Sequence, residues 1–171
     1  MTSLNSNMEL DTRFLARLSY LPDELAKAAK QAMIKTNRWL RAASMADLGY
    51  ELNIDANAMT TRFKTYKSGG MSKLWVGVRS LGVHRLGKPI QNGKGVQVGS
   101  RFYDDAFISP MDSDQLLVFR RESKGRGSIK LVSLEISEET EEIIDSYLPD
   151  LNRKFEEFFH REFQFILSGT Q

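Results

Sequence analysis

The chain has 171 residues, 24 of them Lys or Arg and 22 Asp or Glu, so its net charge is only +2. This length suits one domain, residues 1–171, that buries a core without cross-links, and the absence of cysteine excludes disulfides and thiolate metal sites. No apolar run approaches the length of a membrane span, and the first residues lack a signal-peptide pattern, so we expect a soluble protein that makes no membrane contact.

The amino-terminal part of the chain has the pattern of amphipathic helices. A first helix is predicted before Pro22, because apolar residues recur there at helical spacing. A long helix is predicted from Asp23 to Ala43, with a seam of small residues on one face and basic residues, including Arg38 and Arg41, over the rest. Small residues let another helix approach closely, so the seam packs either inside the subunit or against a second subunit. The apolar residues of the first helix are Leu10, Phe14, Leu15, Leu18 and Leu21.

Residues 44–67 have the pattern of two short helices joined by a turn, with Ser44 and Asp55 in positions that cap helices. The first helix is predicted to reach Leu52, and the second to span residues 56–66. This arrangement suggests a helix-turn-helix, so one functional interpretation is a DNA-binding regulator. Another is a basic helix that attracts DNA phosphates without reading bases. The residues that would meet phosphates or base edges are Thr60, Thr61, Arg62, Lys64 and Lys67.

The middle of the chain, from about Leu74 to Ile136, is predicted to form a mostly antiparallel β-sheet. Alternating side chains over residues 74–79 predict a strand with one buried face, and Val96 and Val98 mark a second strand. The long connection from Gly82 to Gly99 contains this second strand. Its remaining residues are expected to form either a mobile loop or a segment that contacts a neighbouring protein.

A β-hairpin with a basic loop is predicted in the second half of this region. The runs Leu116–Phe119 and Ile129–Val132 are rich in β-branched and aromatic residues, and the intervening residues 122–128 contain two glycines. We therefore expect the two runs to pair. Lys124 and Arg126 lie in the loop, which is either an exposed turn or a contact to another protein.

Two helices are predicted at the carboxyl end, separated by Pro149. Ser137 can cap the first helix, and Glu138 lies in its first turn, where negative charge is favourable. Glu142 continues the acidic surface of this helix. The second helix runs from Leu151 to Leu167, with apolar residues at spacings of three and four.

The last helix carries a large aromatic surface. Five of the ten phenylalanines lie between positions 155 and 165, and burying each would stabilise the fold by about 1.5–3 kcal/mol. This surface must be covered, either by the sheet of the same subunit or by a cover shared between subunits. Phe158, Phe159 and Phe165 are the candidates for sharing, since Phe165 lies to one side of the main stripe.

The charges are distributed unevenly along the chain. Residues 1–100 contain 15 Lys and Arg against 7 Asp and Glu, whereas residues 101–171 contain 9 against 15. Either both charged surfaces are simply solvated, or the basic surface of one copy meets the acidic surface of the next in a head-to-tail ring.

No motif in the chain predicts catalysis, a cofactor or a metal site. Residues 82–88 match the spacing of a phosphate-binding loop, but Pro89 stands where a Ser or Thr hydroxyl and the start of a helix are needed. The two histidines are far apart in sequence, and Asp104 and Asp105 would point to opposite faces of a strand. We therefore predict that the protein is not an enzyme.

Four features of the chain follow one another in a characteristic order. They are Leu21-Pro22 with an alanine-rich helix over residues 26–43, then Ala106-Phe107-Ile108, then Val118-Phe119-Arg120-Arg121, and last the helix from Leu151 to Leu167. In order and spacing they resemble the phage minor tail protein Z family, also called tail completion proteins. The resemblance spans nearly the whole chain. Two positions depart from the family pattern, since Asp105 stands where glycine is usual and Ser128 where proline is often found.

The elements together predict an α+β fold, with amino-terminal helices, a central sheet and carboxyl-terminal amphipathic helices packed on that sheet. The resemblance implies a structural virion protein, made in the host cytoplasm, that forms a ring at the head-proximal end of the tail and enables head-tail joining. It also implies a hexamer, with the tail terminator or tail tube protein and the head-neck or connector proteins as partners. Nonspecific contact with passing DNA is a further expectation. Residues expected at subunit or partner contacts are Phe158, Phe159, Phe165, Lys124, Arg126, Arg38, Arg41, Glu138 and Glu142.

Overall fold

The computed structural model of the protein describes residues 23–68, 71–110, 115–123 and 127–168. Its α-helices in these ranges are α1 (Asp23–Glu51), α2 (Ser137–Tyr147) and α3 (Leu151–Ser168). Short 3-10 helices span Ala56–Met59, Val83–Arg85 and Leu148–Asp150. The predicted α+β class is confirmed, with helices on both sides of a β-rich middle.

The β-rich middle consists of short strands. They are β1 (Phe63–Ser68), β2 (Met71–Val76), β3 (Leu81–Gly82), β4 (Pro89–Gln91), β5 (Gly95–Val98), β6 (Arg101–Asp104), β7 (Ala106–Pro110), β8 (Leu116–Arg121), β9 (Ile129–Leu131) and β10 (Ser133–Leu134). All pairings among the described strands are antiparallel, and they form the sheets β1-β2, β3-β10, β4-β5-β6 and β7-β8-β9. The predicted antiparallel pairing of the middle region is confirmed, with the described strands divided among four small sheets.

The main hydrophobic core packs the carboxyl half of α1 and one face of α2 against the first strands. Leu74 and Val76 confirm a strand with one buried face, although this strand spans residues 71–76 and not the predicted 74–79. Val96 and Val98 confirm the second strand. A second cluster joins α1 to α3, and a third lies among β5, β7 and β8. The fully buried residues at the centre of the main core are Leu48, Met59, Phe63, Val76, Leu81 and Ile136.

Helix α1 is longer than predicted. It continues unbroken to Glu51, and Ser44 is buried in its middle instead of capping a new helix. The small-residue seam packs inside the subunit, where Ala29 and Ala32 contact Phe155 of α3. The helix predicted before Pro22 lies outside the described residues.

The predicted helix-turn-helix is wrong. Asp55 does cap a helix, since its carboxylate accepts a hydrogen bond from the amide of Asn57 at 2.8 Å, but this 3-10 helix ends at Met59. Residues 63–68 form strand β1, which pairs with β2 along its whole length. The β-branched and aromatic residues of this segment favour a strand, and pairing with β2 satisfies its backbone polar groups.

The carboxyl-terminal helices are arranged differently from the prediction. Helix α3 packs along α1 instead of on a sheet, and its first residue, Leu151, joins the main core. Ile136 occupies the cap position of α2, while the hydroxyl of Ser137 donates a hydrogen bond to Glu135. Pro149 lies in the 3-10 turn that separates α2 from α3, as predicted.

The connection from Gly82 to Gly99 is ordered, contrary to its interpretation as a loop. Strands β4 and β5 form a hairpin, in which the side chain of Asn92 accepts hydrogen bonds from the amides of Lys94 and Gly95 at 2.8 and 3.1 Å. Val83, at the start of this connection, is fully buried. Deleting residues 83–95 would therefore remove part of the core, and loss of function in that variant would not identify a partner contact.

Replacing Gly95 with Ala is expected to lower the free energy of unfolding by about 1–3 kcal/mol. A Cβ atom at Gly95 would lie 2.2 Å from the carbonyl oxygen of Tyr103, which belongs to the paired strand β6 and cannot rotate away as a side chain can. Gly93→Ala in the same hairpin is the matched control, because a Cβ there has no neighbour within 4 Å. Denaturant unfolding of both variants measures the difference, and equal midpoints would contradict the clash.

Candidate interaction surfaces

The aromatic face of α3 is covered at its start and open at its end. Phe155 is buried against small residues of α1, and the rings of Phe155, Phe159 and Phe163 stack in series with centroid distances of 6.0 and 6.1 Å. Phe158 is half-buried against the same cluster. Phe165, near the carboxyl end, is 75% exposed. The cover of α3 is therefore incomplete within the described subunit.

The open end of α3 is the part of the helix that can add a contact to another molecule. Leu167 is 53% exposed and lies two residues beyond Phe165. Transferring a phenylalanine side chain of this kind from water to an apolar contact is worth about 1.5–3 kcal/mol. Of the three predicted aromatic contact residues, Phe158 and Phe159 pack mainly in the contact between α1 and α3. Phe165 is exposed and can contact another molecule.

Part of the charge asymmetry of the chain is used inside the subunit. Lys35 of α1 forms an ion pair with Glu162 of α3. The Nζ atom of Lys154 lies 5.6 Å from the ring centre of Trp39, and this ring in turn packs edge-on against Tyr147. Basic and acidic segments thus meet where α3 docks on α1, in addition to any contact between copies.

The predicted charged contacts on α1 and α2 have different environments. Arg38 is exposed, whereas Arg41 is half-buried and its Nε atom donates a hydrogen bond to a carbonyl oxygen at the start of β1 at 3.0 Å. Glu138 and Glu142 are exposed on α2. Arg41 therefore connects α1 to β1, while the other three side chains are free to meet solvent or a partner.

Two of the four features that resemble the tail protein family are adjacent strands of one sheet. Residues 106–108 lie in β7 and residues 118–121 in β8, and Phe107 pairs directly with Phe119 at a ring centroid distance of 6.1 Å. The guanidinium of Arg121 lies over the ring of Phe107, 5.8 Å from its centroid. These residues form one packed face of the three-stranded sheet.

The predicted β-hairpin is confirmed. Strand β8 pairs with β9, placing Phe119 opposite Leu131. Lys124 and Arg126, the basic residues between these strands, lie outside the described residues.

The sharp turn between β6 and β7 uses a backbone conformation that suits glycine. Asp105 has a φ angle of +55°, and its amide donates a hydrogen bond to the carbonyl oxygen of Lys94 at 3.0 Å. Arg120 closes the same turn, since its Nε donates to the carbonyl oxygen of Asp104 at 3.0 Å. Glycine adopts positive φ most readily, and Asp tolerates it better than most residues. Asp105 thus takes a glycine-like conformation at the position where the family pattern has glycine.

A basic cluster between β1 and β3 was not predicted. Arg62 donates a hydrogen bond from Nη2 to the carbonyl oxygen of Ser80 at 2.7 Å, and burial together with the charges of Arg85 and Arg79 lowers its pKa. Burial, and next the charge of Arg85, also lowers the pKa of His84. The sequence does not indicate this cluster, because its patterns place Arg62 on a helix and Arg85 in a connection between strands.

A hydrogen bond joins α2 to α1 near the main core. The hydroxyl of Tyr147 donates to the carboxylate of Asp47. This hydrogen bond, followed by burial and the charge of Asp47, raises the pKa of Tyr147 to about 12 from an ordinary value of 10.0. Because the folded-state pKa is the higher one, the contribution of the contact to stability is complete below about pH 10 and is lost as the pH rises toward 12.

Asp47→Asn is expected to bring the pKa of Tyr147 back toward its ordinary value, because the carboxylate that opposes ionisation is gone. Tyrosinate absorbance during alkaline titration measures this change, and subtraction of the Tyr147→Phe titration isolates the signal of this one tyrosine. Asp150→Asn is the control, since Asp150 pairs with Arg153 instead. A Tyr147 titration that is the same with and without Asp47 would contradict the hydrogen bond.

Neither a cluster of metal ligands nor a phosphate-binding loop is present among the described residues. In this part of the chain, no three His, Asp or Glu side chains lie together as metal ligands. Residues 82–88 begin in β3 and continue through a three-residue 3-10 turn, without the helix that a phosphate-binding loop requires. None of the helices described is long and apolar enough to cross a bilayer.

Comparison with known proteins identifies no relative of this chain. No protein-family model, curated protein or solved structure matches this chain. Functional inference therefore depends on the residues and contacts described above.

Proposed function

We propose that this chain is a structural tail completion protein of a phage. Copies assemble as a ring at the head-proximal end of the tail and prepare the tail to join the head. The observation that carries the proposal is that the features resembling the minor tail protein Z family form two contacting pairs in the fold.

The first contacting pair consists of helices. The alanine-rich helix lies in α1 and the carboxyl-terminal helix is α3, and Ala29 and Ala32 of the former pack against Phe155 of the latter. The second pair consists of strands β7 and β8, in which Phe107 faces Phe119. Asp105 supports the same reading, because its positive φ suits the glycine that is usual at this position.

The ring is supported by surfaces that the described subunit leaves open. Phe165 and Leu167 expose apolar area at the end of α3. Arg38 on α1 and the acidic residues Glu138 and Glu142 on α2 are exposed charges of opposite sign. A head-to-tail ring joins two different patches of neighbouring copies, so both kinds of surface can contribute. The hexameric state comes from the family resemblance.

Reconstitution with the phage that encodes the protein tests the proposal. Tails assembled without this protein should fail to join heads, and adding the purified protein should restore joined particles in electron micrographs. Native mass spectrometry of the purified protein should give the mass of a closed oligomer. Normal joining in the absence of the protein would overturn the proposal. A shift of duplex DNA with sequence preference would instead favour the regulator interpretation, for which residues 63–68 supply no recognition helix.

A further inference from the structure

Strand β9 is an edge strand among the described residues, and none of the hydrogen bonds described between backbone groups pairs its outer edge. The amide of Val132 donates a hydrogen bond to the carbonyl oxygen of Val118, and the amide of Glu122 donates one to that of Ser128. Hydrogen-bonded pairs alternate along an antiparallel ladder, so the pair between these two, Lys130 with Arg120, is also of the hydrogen-bonded kind. The intervening residues of β9, Ile129 and Leu131, therefore direct their N–H and C=O groups away from β8. No other described strand pairs with this edge. Such a row of outward-facing groups is a template for an added strand.

The side chains of β9 present two chemically different faces. Ile129 and Leu131 are 51% and 38% exposed, and the strand register places them on the same face as Arg121 and Phe119 of β8. Lys130 lies on the opposite face, beside Arg120. Side chains alternate between the two faces of a strand. Successive side chains of an added strand would therefore lie alternately on the face of Ile129 and Leu131 and on the face of Lys130.

A groove of about 570 Å³ is lined by the ends of β8 and β9 and by the residues that follow them. Three cations line it, and Glu122 is the one carboxylate among the residues described there. The Nζ of Lys130 is 3.9 Å from that carboxylate, and both groups are largely exposed, so the pair neutralises little of the basic charge. The lining residues are Arg120, Arg121, Glu122, Lys130, Leu131, Val132 and Ser133.

The central lysine disfavours a second copy of β9 as the occupant. If two β9 strands paired antiparallel about their middle residues, Lys130 would face Lys130 of the other copy, and like charges directly opposite destabilise a pair. A lysine on an exposed edge is a common device against self-association. An acidic strand has the complementary charge and meets no such repulsion.

We propose that the β9 edge binds an extended segment of a partner protein in which acidic and apolar residues alternate. The segment adds a fourth strand to the sheet β7-β8-β9. Its apolar side chains pack beside Ile129 and Leu131, and its carboxylates face Lys130. The site does not depend on a role in phage tails, because the geometry of the edge is the same for any partner.

Fluorescence anisotropy with synthetic peptides tests the site on the full-length protein. The probe is a fluorescein-labelled peptide of alternating Glu and Val, compared with the same peptide carrying Lys for Glu and with one whose alternate amides are N-methylated. Both changes are expected to weaken binding by at least about tenfold, the first by reversing the charge and the second by removing donors that pair with β9. Equal binding of the N-methylated peptide would overturn strand addition, and no binding of the parent peptide would overturn the site.

Protein variants locate the site. Lys130→Glu is expected to weaken binding of the Glu-Val peptide at least about tenfold, whereas Lys94→Glu, an exposed lysine at the β4–β5 turn, should leave it unchanged. Hydrogen exchange at the amides of Ile129 and Leu131 should slow when the peptide is bound. Equal weakening by both substitutions would indicate a response to net charge and overturn the site. A fall in oligomer mass on Lys130→Glu, without peptide, would show that a second copy occupies the edge and would also overturn the proposal.

Discussion

Phe165→Asp is expected to lower the oligomer mass of the protein while leaving its circular dichroism unchanged. The side chain is 75% exposed, so the described subunit loses little packing when it is replaced. If a neighbouring copy covers Phe165, the substitution removes about 1.5–3 kcal/mol of burial from each contact and places a carboxylate in an apolar interface. Self-association should weaken at least about tenfold, since each 1.4 kcal/mol corresponds to a factor of ten.

Sedimentation equilibrium or native mass spectrometry measures the mass of the variant. Gln164→Asp is the matched control, because it adds the same charge at the neighbouring exposed position of α3 without removing a ring. An unchanged mass for Phe165→Asp would exclude this residue from the subunit contact. Such a result would leave the ring itself to be tested by reconstitution, because exposed charges on α1 and α2 offer an alternative contact.

Phe63→Ala is expected to lower the free energy of unfolding by about 3–5 kcal/mol. Phe63 begins β1, is fully buried and belongs to the main core together with Leu48 and Met59. Its removal leaves a cavity between α1 and the first hairpin, where the backbone cannot close easily because Arg41 and the pairing to β2 hold β1 in place.

Thermal and denaturant unfolding of Phe63→Ala and Phe102→Ala together provide the measurement. Phe102 is the same residue type on strand β6 but is exposed, so its removal should change the stability by less than about 1 kcal/mol. A small effect at both positions would contradict the packing of β1 in the main core. It would also reopen the prediction that residues 56–66 form a helix.

The aromatic content of α3 and the pattern of β8 and β9 were sufficient to predict those elements. Helix α3 begins at the predicted Leu151, shortly after Pro149. Strand β8 pairs with β9 because both strands are rich in β-formers and are joined by a glycine-containing loop. The covering of α3 was not predictable in this way. The apolar stripe requires a cover but does not specify whether a sheet, α1 or another subunit supplies it.

Contacts with residues distant in sequence also decide which of the predicted contact residues are exposed. Arg38 and Arg41 have the same charge and lie one turn apart on α1, yet Arg38 is exposed and Arg41 donates a hydrogen bond to the start of β1. The free edge of β9 was likewise beyond prediction, because it depends on which strand is last in the sheet. Edges are a property of strand order, which involves residues distant in sequence.

Local patterns by themselves determined that the chain has an α+β fold with amphipathic ends, since helical and strand periodicities are read over a few neighbouring residues. Tertiary structure decided that residues 63–68 pair with β2, that α3 rests on α1, and that the strands are divided among small sheets. The physical reason is that short segments have weak intrinsic preferences, and the free energy of pairing and burial with distant residues exceeds them.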